Sequence, residues 1–248
     1  AFRITATDEG SGLADTSSAV LKFGETGLTA VVTGAWAGNV CTYTPVSPLD
    51  ETKTYEIQLS NVKDLAGHTA TKSWTFKVDA TAPTISITAK GNKGLGADIT
   101  ADGWTKDSDA LEPTFTAVLG DSGSGLDEKS ITVTLNGTIV PRKVGTADGW
   151  EYTSPNLTYT PKEALAEGWH VLAVSVSDKA GNGKTEAFEF GVDIVAPKLE
   201  KTNPVGWTNT LRPEVVITAI EETSGLAVDG AGKIICTFTI AGSSSGDI

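Results

Sequence analysis

The stretch Asp178-Lys-Ala-Gly-Asn182, followed by an alternating segment that ends in Val192-Asp193-Ile-Val-Ala-Pro197, decides how this chain is read, because it occurs twice. The earlier copy is Asp64-Leu-Ala-Gly-His68, leading through Phe76-Lys-Val-Asp79 to Ala80-Thr-Ala-Pro83. In both copies the second aspartate follows the first by fifteen residues, 64 to 79 and 178 to 193. A spacing that repeats to the residue marks a module boundary.

Working outward, a second marker appears three times: Phe2-Arg-Ile-Thr-Ala to Ser11-Gly-Leu13, Phe115-Thr-Ala-Val-Leu to Ser124-Gly-Leu126, and Val215-Val-Ile-Thr-Ala to Ser224-Gly-Leu226. Acidic residues precede each Ser-Gly-Leu: Asp8 and Glu9, Asp121, and Glu221 and Glu222. Trp-Thr opens two copies, at Trp104 and Trp207, and a Tyr-Thr-Pro at Tyr43 recurs at Tyr159. A period near 100 to 115 residues indicates tandem domains rather than the short units of a solenoid. The markers divide the chain into an incomplete domain over 1–79, a complete one over 80–193 and the first part of another over 194–248, as expected of a window on a longer protein.

The complete copy reads as seven strands, near 84–88, 114–119, 131–136, 138–144, 150–160, 169–177 and 184–192, with turn residues between them. Residues 1–79 alternate in the same way, and nothing in the chain sustains a helical period. The pattern predicts an all-β chain of tandem immunoglobulin-like antiparallel sandwiches. The first copy lacks a Trp-Thr strand, which predicts an unfilled sheet edge. Gly91 to Gly96 reads as an insertion, a hairpin tip.

The chain has 19 Lys and Arg against 31 Asp and Glu, a net charge of −12. That balance argues against nucleic acid and anionic membrane surfaces, which require basic patches, and suits hard cations. Cys41 matches Leu157, and Cys236 matches Val133, so both thiols are read as buried small hydrophobes rather than disulfide partners or ligands. The two histidines, His68 and His170, have no nucleophile or ligand partner at a recognisable spacing, so no catalytic residue is assigned.

In a seven-strand sandwich the start of the domain, the second-to-third loop and the sixth-to-seventh loop lie at one end. For the middle copy these places hold Asp79, Asp121 and Asp178. Three carboxylates brought together repel one another unless a cation such as Ca²⁺ neutralises them. The second joint offers Asp193 with Glu221 and Glu222, and the first copy offers Asp8, Glu9 and Asp64. The competing expectation is that these aspartates only cap their own turns. Asp15, Asp127 and Asp229 are read as solvated loop charges.

The Asp-x-Ala-Gly-Asn turn, the Val-Asp-x-x-Ala-Pro linker and the Ser-Gly-Leu after an acidic loop resemble the bacterial Ig-like repeats of large cell-surface and adhesin proteins. The resemblance covers essentially the whole chain and implies a non-catalytic, extracellular or surface-displayed rod, with calcium at the joints of some members. It falls on Asp64, Asp178, Asp79 and Asp193; His68 in place of Asn, and Glu221-Glu222 in place of a single Asp, depart from it. Expected partners are neighbouring repeats of the same chain, with no nucleic acid and no direct membrane contact. Two other readings stand beside the stalk. One is a self-assembling fibre, sheath or surface layer whose copies join by strand addition. The other is glycan binding, for which Trp169, a tryptophan with no counterpart in the repeats, is the residue to inspect.

Overall fold

A computed structural model describes residues 1–91, 97–105, 112–145, 147–203, 206, 209, 211–212 and 214–226. Cys236, Asp229, Trp207 and the expected tip at 92–96 lie outside the described residues. Among those described, the chain is strands and turns, with one 3-10 turn at Thr16–Ser18 and no α-helix. It divides into two compact units: Ala1–Pro83 with Gly120–Ser130 and Val176–Lys184, and Thr84–Leu119 with Ile131–Ser175 and Thr185–Ile248.

The first repeat has two sheets. One orders β1 (Phe2–Thr5), β5 (Val40–Tyr43) and β4 (Ala35–Ala37); the other orders β3 (Ala30–Val32), β2 (Val20–Glu25), β6 (Thr54–Lys63) and β7 (Thr69–Lys77). Alternation places Leu21, Phe23, Tyr55, Ile57 and Leu59 inward. Phe2, Phe23, Tyr43, Tyr55 and Phe76 form a chain of ring contacts across this core, with centroids 5.1 to 6.5 Å apart. Cys41 is buried and free among them, and burial pushes its thiol pKa up. β1 and β7 are edge strands, so Trp74, which aligns with the buried Phe188, is 41% exposed.

The second repeat also has two sheets. The first orders β14 (Glu151–Thr153), β15 (Asn156–Tyr159), β11 (Thr114–Gly120), β8 (Thr84–Lys90) and β9 (Asp98–Ile99). The second orders β10 (Trp104–Thr105), β17 (Gly183–Val192), β16 (Gly168–Asp178), β12 (Leu126–Leu135) and β13 (Thr138–Val140). Their inner faces bury Phe115, Leu157, Val133, Leu172, Val174, Phe190 and Val192 to 0% exposure.

Among the described residues, ten strands stand where seven were expected. The stretch 150–160 is a hairpin rather than one strand, because Ser154-Pro155 makes the turn between β14 and β15. β12 starts five residues before the expected 131, directly after the Ser-Gly-Leu glycine. Trp104-Thr105 joins the opposite sheet from β8, pairing parallel to β17, with Trp104 opposite Gly191 and Thr105 opposite Val192. That segment is held by Asp102 N to Glu189 O at 2.7 Å, Gly191 N to Gly103 O at 2.8 Å and Asp193 N to Thr105 O at 3.0 Å. The Trp104 indole lies on Gly191, where any Cβ would collide with the ring. β8 and β9 pair antiparallel, Ala89 opposite Ile99 and Lys90 opposite Asp98. The third repeat contributes β18 (Lys198–Asn203), antiparallel to β19 (Val216–Ile220).

Candidate metal centre

Each acidic loop is organised by its own carboxylate. Asp121 Oδ2 accepts the amides of Gly123 at 3.0 Å and Gly125 at 2.6 Å. Asp8 Oδ2 accepts those of Gly10 at 3.1 Å and Gly12 at 2.6 Å. The glycine of Ser-Gly-Leu has φ of +89, +81 and +80 at Gly12, Gly125 and Gly225, a left-handed conformation that a residue with a Cβ rarely takes. The marker is therefore a backbone requirement. The Asp-x-Ala-Gly turns are built likewise: Asp178 Oδ1 accepts Gly181 N at 2.7 Å and Asn182 N at 2.8 Å, and Asp64 Oδ1 accepts His68 N at 2.8 Å. Turn capping and a metal role are thus not exclusive, because each cap leaves carboxylate oxygen over.

Asp79 then seats on both loops of the second repeat. Its Oδ2 accepts Ser124 N at 2.5 Å, its Oδ1 accepts Thr81 N at 3.2 Å, and its carbonyl accepts Asn182 Nδ2 at 3.0 Å. The same Asn182 amide donates to Asp178 Oδ2 at 2.7 Å. Hydrogen bonding from Ser124, side chain first and then backbone, holds the Asp79 carboxyl below the ordinary carboxylate range. One oxygen from each of Asp79, Asp121 and Asp178 lies within 4.8 Å of the others, and all three residues belong to the first compact unit.

Asp178 is 2% exposed, and Asp121 Oδ1 is buried with no hydrogen-bond partner, the one such side-chain atom among the described residues. A buried carboxylate oxygen without a donor is costly. The donor set is all oxygen. Calcium bonds oxygen at about 2.3–2.6 Å, so its ligands stand up to about 5 Å apart, and the group fits that ion rather than a thiolate- or imidazole-seeking metal.

The other sequence-derived candidates are not gathered in this way. Asp193 is buried, but its Oδ1 accepts Val195 N at 3.1 Å and its amide is in the β10 pairing. Glu221 Oε1 accepts Thr223 N at 3.0 Å, while Glu222 is exposed. Asp193, Glu221 and Glu222 form no three-carboxylate group among the described residues, and neither do Asp8, Glu9 and Asp64. Asp64 instead pairs with His68, Oδ2 to Nδ1 at 2.8 Å, which raises the imidazole pKa and lowers that of the carboxyl. The participants that sequence reading missed are Gly123, Ser124 and Asn182, which offer amides and space rather than charge. Trp169 is 52% exposed and contacts Trp104, centroids 4.8 Å apart at 58°.

The paired sheets, the left-handed glycine loops and the recurring acidic turns define a tandem of immunoglobulin-like β-sandwich modules. Residues 81–194 and 6–78 each match a family model described as a bacterial Ig-like domain, so the chain is built of bacterial Ig-like domains. Domains of this kind commonly occur in extracellular and surface proteins, and their families are typically non-catalytic. No curated protein matches the chain. Among solved structures it is similar to dimeric latent PorU from Porphyromonas gingivalis at 16% identity and a TM-score of 0.29, covering 74% of this chain and 20% of that one. It thus spans about a fifth of the PorU chain. Titin-A168169 gives 10% identity and a TM-score of 0.28, over 77% of this chain and 90% of that one. A chimeric titin Z1Z2-Z1Z2 tandem gives 16% and 0.28, over 73% and 87%.

Proposed function

We propose that this chain is a non-catalytic stalk segment of a secreted or surface-displayed, adhesin-like bacterial protein, and that calcium held by Asp79, Asp121 and Asp178 stiffens the linker that follows the first repeat. The observation that carries the reading is the buried, partnerless Asp121 Oδ1 beside two further carboxylates, one of them from the linker. When bound, calcium supplies the positive charge that removes their mutual repulsion. The chain's own groups do the positioning. Thr81 ties the linker backward, its Oγ1 donating to Glu51 Oε2 at 2.8 Å, while Ser124 and Asn182 tie it forward. Calorimetric titration of the chain with CaCl₂ is expected to give one enthalpic site that Asp79→Ala and Asp178→Ala each remove. Absence of any heat in the native chain, with melting curves identical in calcium and EDTA, overturns the calcium part.

A second reading, a subunit of a self-assembling fibre, sheath or surface layer, draws on a different observation. The edge strands β1 and β7 flank a cleft of about 400 Å³ lined by Phe2, Ile4, Ile57, Trp74 and Phe76. Strand addition from another copy would fill it. Sedimentation across a hundredfold concentration range distinguishes the two, since a stalk segment stays monomeric.

A further inference from the structure

The Asp121 loop and the Glu221 loop align without a gap, Asp121-Ser-Gly-Ser-Gly-Leu126 with Glu221-Glu-Thr-Ser-Gly-Leu226; they differ at the first three positions, and the third sets Gly123 against Thr223. The loop hydrogen bond is the same in both: Gly123 N donates to Asp121 Oδ2 at 3.0 Å, and Thr223 N to Glu221 Oε1 at 3.0 Å. The loop therefore tolerates a side chain here, and Gly123 is not among the glycines held at positive φ. What the glycine leaves is room. A Cβ on Gly123 would overlap the Asp79 carboxylate, striking Cγ and both oxygens. In the third repeat that room is taken, with Thr223 Oγ1 hydrogen-bonded to Glu167; the linker aspartate, Asp193, caps Val195 just as Asp79 caps Thr81, but among the described residues it has no bond from Ser224 N to match the one that Ser124 N gives Asp79. At the matching position of the first repeat, a Cβ on Gly10 would meet only Asp8 Oδ2 at 3.7 Å.

We infer that this position gates the joint: glycine admits the linker aspartate onto the acidic loop, and any side chain keeps it out. Gly123 is then a positioning residue for Asp79, and the joints along the chain are of two kinds, a carboxylate-seated one after the first repeat and an unseated one before the third. The consequence for metal rests on the calcium reading; the seating itself does not.

The test introduces Gly123→Ala, the smallest side chain, and Gly123→Thr, which transplants Thr223, into the whole chain. Amide hydrogen exchange is followed in EDTA and calcium affinity by calorimetry. The expected result is at least tenfold faster exchange at Ser124, whose amide bonds Asp79, with Gly125, whose amide bonds Asp121, unchanged, and at least tenfold weaker calcium binding. A general loosening of the loop would instead accelerate both amides, and that outcome overturns the gate. Unchanged Ser124 protection in Gly123→Ala also overturns it. Calcium binding that survives the substitution removes the gate and leaves the calcium reading standing. A native chain that binds no calcium, yet loses Ser124 protection on substitution, removes the calcium reading and leaves the gate.

Discussion

Replacing Asp121 with asparagine separates the two roles of that residue, because the side chains have the same shape and differ in charge. Asp121 Oδ2 accepts two backbone amides, and the asparagine oxygen can take both. The asparagine NH₂ then falls where the partnerless Oδ1 stood and faces carboxylates instead of adding to them. Two unit charges 4.8 Å apart repel by about 3.5 kcal/mol at an effective dielectric near 20, a figure that screening by solvent and salt reduces to about 1 kcal/mol. Without metal, Asp121→Asn is therefore expected to stabilise the domain by about 1 kcal/mol, or roughly 4–8 °C in Tm for a domain of about this size. With calcium at a hundred times its Kd, the native chain gains about 2.7 kcal/mol by linkage, most of which the variant forgoes. The order inverts: the variant melts higher in EDTA and lower in calcium. Differential scanning calorimetry of both proteins in both buffers reads the four values directly. A variant that is less stable by the same amount in both buffers would show that Asp121 is a turn cap alone.

Three further outcomes follow from the structure. The stabilisation that Asp79 draws from its seat is expected to be complete above about pH 4 and lost as pH falls through its lowered folded pKa, so the protection of the Ser124 amide in EDTA, taken relative to its intrinsic exchange rate at each pH, should fall only on the acid side. The raised pKa of His68 has the opposite sign: what its pairing with Asp64 contributes is present below about pH 6.5 and lost as pH rises through the folded value, and an NMR titration of the His68 ring should show a midpoint that returns toward 6.5 in Asp64→Asn. Phe115→Ala, at a core position with 0% exposure, should cost about 3–5 kcal/mol in urea unfolding of the second repeat and leave the transition of the first unmoved.

The acidic residues were legible because their loops impose rules on the sequence around them. The glycine after Ser11, Ser124 and Ser224 must be left-handed, and the aspartate opening each Ala-Gly turn must cap it, so both recur at fixed spacing. Gly123 was hidden for the opposite reason, since its role is to lack a side chain where a carboxylate 44 residues earlier arrives, and no local pattern records that. Asn182 was visible as part of the turn, but its bond to the Asp79 carbonyl spans 103 residues. The sandwich class followed from alternation alone. Alternation does not register a two-residue strand, which is why Trp104-Thr105 is not among the seven expected, and the sign of the turn at Ser154-Pro155 was a switch of phase, from Trp150 and Tyr152 inward to Leu157 and Tyr159 inward, inside what read as one run.

The parallel pairing of β10 with β17 sets how the second repeat responds to tension. A pull that draws the opening segment one way and the closing strand the other acts along both strands at once. The bonds Asp102 to Glu189, Gly191 to Gly103 and Asp193 to Thr105 then carry it together in shear, instead of opening one after another as an antiparallel hairpin would. With only two residue pairs, as few as β8 and β9 share, this clasp takes the load once β8 and β9 have come away, and the Trp104 indole pressed onto Gly191 shields it from the water that would compete for its bonds.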